Sequence, residues 1–167
     1  MQKDLNDLAN ASQGLRDAFQ EDSKHLEQLA AQLHSIPYDL KNPEWVIKRL
    51  EMLKRIDQSW RELADSELYS EDDKRLYYRA FSKRWGDDTT TQAGLQEILD
   101  HHEWITIPEF GIESNKTALT IVIHADHDRD FQRRTIKLLE EKYMNSGLSE
   151  LRNYAHLFDR VCFVHRD

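Results

Sequence analysis

Cysteine, glycine and proline are scarce in this sequence, whose 167 residues include one cysteine, five glycines and three prolines. The single cysteine, Cys162, excludes an internal disulfide framework and a cysteine-rich zinc site. A β fold needs many turns, and turns are rich in glycine and proline, so the scarcity of both residues favours helices. We therefore expect a mainly α-helical protein, built as a bundle of several helices.

Long apolar runs and an excess of positive charge are also missing. No apolar stretch approaches the roughly 20 residues of a membrane span, and the first residues lack an apolar export segment. The formal net charge is −8, and an acidic surface repels the phosphate backbone of nucleic acids. These absences predict no membrane partner, no nucleic-acid partner and a cytoplasmic location.

The N-terminal 36 residues carry a heptad pattern, which predicts one long helix over residues 3–36. Its apolar positions are Leu5, Leu8, Leu15, Phe19, Leu26, Leu29, Leu33 and Ile36. Ser12 and Asp22 interrupt the apolar seam, so a tight extended coiled coil is disfavoured. We expect residues 1–36 to form a hairpin with the next helix, with a protein partner or a homodimer as a further possibility.

Residues 42–167 form a second predicted region, a helical domain. Capping residues and apolar periodicity predict further helices, which begin at Asn42-Pro43, Ser70, Asp87 or Asp88, Ser114 or Asn115, near Arg129, and at about Ser149. Residues 104–114 contain a proline and a glycine and predict an ordered loop. The apolar run at 161–164 predicts a short C-terminal β-strand that buries Cys162.

The densest group of reactive side chains is the segment His124-Ala125-Asp126-His127-Asp128, which follows the apolar run 118–123. If the helix continues, His124 and Asp128 lie four residues apart on one face and suit a metal site or a proton-transfer pair. The alternative is structural, with His124 in the core and Asp126 or Asp128 capping the next helix. Spacing alone leaves both interpretations open.

The segment from His124 to Gln132, His-Ala-Asp-His-Asp-Arg-Asp-Phe-Gln, resembles a known signature. An uncharacterised bacterial family, a domain of unknown function, has members that carry approximately Gln-His-Ala-Asp-x-Asp-x-x-Phe-Gln. An upstream Asp57-Gln58-x-x-Arg61 and a downstream Asp159-Arg160 are also similar to this family. The similarity covers about residues 47–167 and leaves the N-terminal helix outside.

The resemblance implies a helical domain with a shared polar cluster, and it implies no established reaction. The candidate catalytic residues are His124, Asp126 and Asp128, and the candidate ligand-binding or supporting residues are Gln132, Asp57, Arg61, Asp159 and Arg160. The chain departs from the family at Glu103, Ile105 and Ile123, and it lacks the family's Tyr-Gly-Thr-Gln ending. A site that needs that ending would be incomplete.

Two classes of function are compatible with these residues. In the first, the His/Asp cluster binds a small ligand or performs acid-base or hydrolytic chemistry, with a divalent metal as a possible cofactor. One variant is a metal-dependent phosphohydrolase, in which His127 and Asp128 join His101 or His102 and Asp159. In the second class, the protein is a non-catalytic interaction module of adaptor or immunity type, and the cluster is an internal hydrogen-bond network.

Overall fold

The computed structural model describes residues 8, 10–143 and 147–162, and these residues confirm the prediction of a mainly α-helical bundle. They form seven helices: α1 Gln13–Ser35, α2 Pro43–Ala64, α3 Glu71–Trp85, α4 Asp88–Leu99, α5 Ile107–His124, α6 Arg129–Lys142 and α7 Leu151–Cys162. Helix α2 lies at the centre, where α1, α3, α4 and α5 all pack against it. Helix α7 packs on α5 and α6.

Side-chain caps set the starts of three helices where the sequence predicts them. Asn42 accepts the backbone N–H of Glu44 ahead of Pro43, Ser70 accepts an N–H in the first turn of α3, and Asp87 does the same for α4. Each cap satisfies an N–H group that the first helical turn leaves without a backbone partner. Local chemistry therefore fixes these boundaries.

The N-terminal helix is shorter than predicted. The hydroxyl of Ser12 accepts the backbone N–H of Leu15 at 3.3 Å, so α1 begins at Gln13. A polar residue that looked like a gap in the seam is therefore a helix cap. Residues 1–7 and 9 lie outside the described residues.

Helix α1 runs antiparallel to α2 and buries its seam inside the chain. The buried seam residues of α1 are Leu15, Phe19, Asp22, Leu26 and Leu33. The contacts show the predicted hairpin, because α1 packs on α2 and also on α3. A homodimer or a protein partner through other parts of α1 stays a prediction.

The predicted loop at residues 104–114 is wrong from Ile107 onwards. Helix α5 begins at Ile107, with Pro108 in its first turn, and it is interrupted by Gly111, whose φ of 82° is not helical. This left-handed conformation suits glycine, which has no Cβ atom to clash with the backbone. The glycine therefore bends a helical segment that the sequence pattern interprets as loop.

Helix α5 ends at His124 and does not continue to Asp128, which contradicts the prediction. Ala125 leaves the helical region with φ −77° and ψ 50°, and Asp128 caps the next helix, α6. His124 and Asp128 therefore do not share a helical face. The apolar periodicity of residues 118–123 gave no signal for this end, which depends on contacts with distant residues.

The predicted C-terminal strand is wrong for the residues that the structure describes. Val161 and Cys162 complete α7, and Cys162 is partly exposed rather than buried. Tyr154, Leu157 and Val161 recur at the three-to-four spacing of a helix, which explains why the apolar run belongs to it. Residues 163 and 164 lie outside the described residues.

The core consists of two hydrophobic clusters on opposite halves of α2. The smaller cluster joins α1, α2 and α3 through Leu8, Leu15, Phe19, Leu26, Ile56, Leu63, Tyr77, Ala80 and Phe81. The larger cluster joins the other half of α2 to α4, α5, α6 and α7. In the part of the chain that the structure describes, no helix combines the length and apolar character needed to cross a bilayer.

Candidate functional site

A buried carboxylate and a histidine form the centre of the candidate site. Asp57 on α2 is 1% exposed, and its Oδ1 and Oδ2 atoms lie 2.8 and 2.9 Å from Nδ1 of His124, the last residue of α5. A carboxylate only accepts hydrogen bonds, so Nδ1 carries the proton. In the neutral form of the ring, Nε2 is then an acceptor, and no described residue bonds to it.

Two side chains on α2 complete the environment of Asp57. Nη1 of Arg61 donates to Oδ1 at 3.2 Å and to the backbone carbonyl of Asp57 at 2.8 Å, and the Gln58 amide donates to Oδ2. A charge buried this deeply needs such partners, because leaving it unpaired would destabilise the fold. The structure therefore brings the predicted Asp57, Arg61 and His124 together.

Asp88, which the sequence predicts only as a possible helix cap, joins this group. Nη2 of Arg61 lies 2.9 Å from both carboxylate oxygens of Asp88, in the first turn of α4. The guanidinium also lies over the ring of Trp60, 4.2 Å from its centroid. Burial raises the pKa of the Asp88 carboxyl above its usual value, despite the lowering effect of Arg61. An acidic residue in a first helical turn is so common that no sequence signal marked this contact.

Asp126 and Arg160, which the sequence predicts separately as site residues, form a second pair. Nε of Arg160 donates to Oδ1 of Asp126 at 2.9 Å, and Nη2 donates to Oδ2. Nη1 of Arg129 lies 3.4 Å from Oδ1. The hydrogen bonds from Arg160 hold the pKa of Asp126 below its usual value. This pair ties the turn after His124 to α7.

Asp128 and Gln132 have structural partners. Asp128 accepts the backbone N–H of Phe131 at 2.9 Å and the Gln92 amide at 2.8 Å. The bond from Phe131 is the main reason why the pKa of Asp128 is lowered. The capping interpretation of Asp128 is therefore confirmed.

The Gln132 side chain closes the end of α5. It is fully buried, and its amide donates to the carbonyls of Val122 and Ile123 at 3.0 and 3.1 Å. These carbonyls belong to the last helical turn, where the N–H donors of a continuing helix are missing, and Val122 also accepts the N–H of Ala125 at 3.2 Å. Gln132 thus fixes the point where the chain leaves the helix and where His124 is held.

A cavity of about 410 Å³ opens beside His124. Its lining residues are Thr120, Ile123, His124, Asn153, His156, Asp159 and Arg160. Asp159 is exposed at this cavity, whereas the imidazole of His124 is 20% exposed. Thr120 and Asn153 also line a neighbouring cavity of about 220 Å³, which extends to Asp57. A small molecule in the first cavity would contact the imidazole directly.

The remaining histidines of the phosphohydrolase variant have other surroundings. The ring of His102 contacts the carbonyl oxygen of Leu40 and packs edge-on against Phe110. His101 and His127 are exposed. Over residues 8, 10–143 and 147–162, no group of three or more His, Cys, Asp or Glu side chains is arranged to hold a metal ion. A divalent metal cofactor stays a prediction.

The fold and the site define an all-α bundle with a carboxylate–histidine pair at a cavity. No protein-family model, curated protein or solved structure matches this chain. The resemblance to the uncharacterised bacterial family therefore stays a prediction that depends on the quoted motifs.

Proposed function

We propose that the protein binds a small polar ligand in the cavity beside His124 and that the imidazole transfers a proton to or from it. The observation that carries this proposal is the pairing of Nδ1 with both oxygens of the buried Asp57, at 2.8 and 2.9 Å. A carboxylate on one ring nitrogen fixes the tautomer and directs the other nitrogen towards the reacting group. His124 then serves as a general base in its neutral form and as a general acid after protonation.

Arg160, which lines the same cavity as His124, supports the same proposal. Asp126 engages its Nε and Nη2 atoms, which leaves Nη1 without a partner among the described residues. A guanidinium held in this way offers N–H donors to an oxygen of the ligand. Hydrolysis of a small ester or phosphoester is the reaction class that such a base and donor suit best.

A panel of chromogenic carboxylic esters and phosphate mono- and diesters tests the proposal. Wild type should hydrolyse at least one class, and His124→Gln should lose about 100-fold or more of that rate, the usual contribution of a general base. His101→Gln, which changes an exposed histidine, is the control and should keep the rate. A His124→Gln variant as active as wild type would remove His124 from the reaction.

The alternative, a non-catalytic interaction module, is favoured by one observation. Asp128 and Gln132, which belong to the same motif as His124, make internal contacts at the helix junction. Under this function His124 would be another such contact, and small molecules would leave its NMR signals unchanged. Fragment screening that perturbs the signals of His124 and Arg160 together would favour the ligand site.

A further inference from the structure

Asp88 occupies a position that neither the helix dipole nor capping requires. Asp87, its neighbour, already caps α4 through the backbone N–H groups of Thr89 and Thr90. Asp88 instead contacts Arg61, 27 residues earlier in the chain, with both oxygens 2.9 Å from Nη2. The contact therefore affects the orientation of the Arg61 guanidinium.

Arg61 is held on three sides, and each contact restricts where its guanidinium points. Asp88 engages Nη2, the carboxylate and the carbonyl of Asp57 engage Nη1, and the ring of Trp60 covers the planar face. An arginine that is free to rotate pairs with a carboxylate through two parallel N–H···O bonds. Asp88 prevents that arrangement with Asp57 because it occupies Nη2.

The oxygens of Asp57 thus remain available to His124. Nδ1 of His124 lies almost equally far from both of them, at 2.8 and 2.9 Å. A bidentate Arg61 would compete for the same oxygens and weaken the hydrogen bond from Nδ1. In addition, the two carboxylates Asp57 and Asp88 share the single positive charge of Arg61. This set of three side chains therefore keeps a net negative charge beside the imidazole, which favours N–H donation from Nδ1.

We propose that Asp88 is a positioning residue for the candidate site, which acts through Arg61 to keep the carboxylate of Asp57 on Nδ1 of His124. The proposal rests on the proposed function of His124 and adds a residue that fixes its tautomer. A merely structural role of Asp88 would tie α4 to α2 without affecting the ring. The two roles differ in one observable, the ratio of the Nδ1–H to the Nε2–H tautomer of His124.

Long-range ¹H–¹⁵N NMR of the full chain at alkaline pH measures this ratio, with the His124 signals assigned from their loss in His124→Gln. Wild type should show the Nδ1–H tautomer in excess. Asp88→Asn should lower the ratio about tenfold, which corresponds to about 1.4 kcal/mol. Asp88→Glu keeps the charge and should keep most of the ratio. Asp100→Asn, which removes the same charge from the exposed other end of α4, should leave it unchanged.

Asp57→Asn separates this proposal from the proposed function. If Asp57→Asn abolishes the excess and Asp88→Asn does not change it, Asp88 is structural and only the positioning role is overturned. If Asp88→Glu lowers the ratio as far as Asp88→Asn, the charge is not the cause and the proposal is again overturned. If Asp57→Asn itself leaves the ratio unchanged, the orientation of His124 by Asp57 fails, and the proposed function fails with it.

Discussion

Two buried carboxylates, Asp22 and Asp57, each pair with an arginine. They differ in the surroundings of the further side chain that each one contacts. Asp22 pairs with Arg55 and Asp57 with Arg61, and both arginines lie on α2. The other partner of Asp22 is the hydroxyl of Tyr77, which is 0% exposed in the smaller cluster. The third partner of Asp57 is His124, whose side chain is 20% exposed at a cavity.

This difference shows why pairing alone does not identify a site. An aspartate–arginine pair neutralises a buried charge in both regions. A ligand can reach the group beyond the pair only where that group borders a cavity and can exchange a proton near neutral pH, as imidazole can and a buried phenol cannot. We therefore expect changes around Asp22 to act on stability and changes around Asp57 to act mainly on the site.

Deletion of residues 1–36 should have the largest effect, because it removes one of the two regions. It takes Leu15, Phe19 and Leu26 from the smaller cluster and exposes the apolar residues of α2 and α3 that they cover. Each of these side chains contributes about 1.5–3 kcal/mol when buried. We expect no cooperative unfolding transition by circular dichroism in urea, with the full chain measured in parallel. A truncated protein that unfolds cooperatively would show that the larger cluster is an independent unit.

Asp22→Ala should have the next largest effect. It leaves the buried hydroxyl of Tyr77 without its partner and the partly buried Arg55 with only the exposed Glu62, and breaking a buried pair in this way costs about 3–5 kcal/mol. Urea denaturation measures the loss. Glu62→Ala removes the exposed second partner of Arg55 and should cost less than about 1 kcal/mol.

Asp57→Ala extends the same comparison. Arg61 keeps Asp88 as a partner in this variant, so the loss of stability should be smaller, about 1–3 kcal/mol. An Asp57→Ala variant less stable than Asp22→Ala would contradict the distinction between the two regions.

Tyr77→Phe should cost about 1–3 kcal/mol, because it leaves the Oδ2 atom of Asp22 without its hydrogen-bond donor. It should also change the pH dependence. Burial and the contact with Asp22 raise the pKa of Tyr77 far above its usual value. The resulting stabilisation is fully present below the ordinary phenol pKa of about 10 and is lost as the pH rises towards the pKa of the folded state.

The free energy of unfolding as a function of pH checks this prediction. Wild type should lose stability more steeply above about pH 10 than Tyr77→Phe does. Tyr78→Phe changes a neighbouring, exposed phenol and should keep the slope of the wild type. Equal slopes for wild type and Tyr77→Phe would refute the raised pKa.

Asp128→Ala should have the smallest effect, about 0.5–2 kcal/mol, as expected for loss of a helix cap. The pKa of Asp128 is lowered by the N–H of Phe131, so its contribution is present above the unfolded pKa of about 3.9 and is lost as the pH falls through the folded pKa. The difference between wild type and variant in urea should therefore shrink at acidic pH. Asp130→Ala, at an exposed carboxylate, serves as control, and a larger effect there would contradict the cap.

The sequence by itself determined most of the helices, because their signals are local. Asn42, Ser70 and Asp87 each cap a helix through an N–H no more than three residues away. Apolar periodicity likewise predicted the buried face of α1, from Leu15 to Leu33. The same local reasoning failed at Gly111 and at residues 161–162, where a loop-like composition and an apolar run hid helical backbone.

Only the tertiary structure decided which polar residues meet. Asp57 and His124 are 67 residues apart in the chain, and they come together because α2 and α5 pack side by side. Asp88 meets Arg61 for a similar reason, through the packing of α4 on α2. The end of α5 at His124 also depends on Gln132, which caps its carbonyls from the next helix. Spacing along a sequence identifies residues that share a helix, whereas contacts between helices depend on how their faces pack, and this site is built from such contacts.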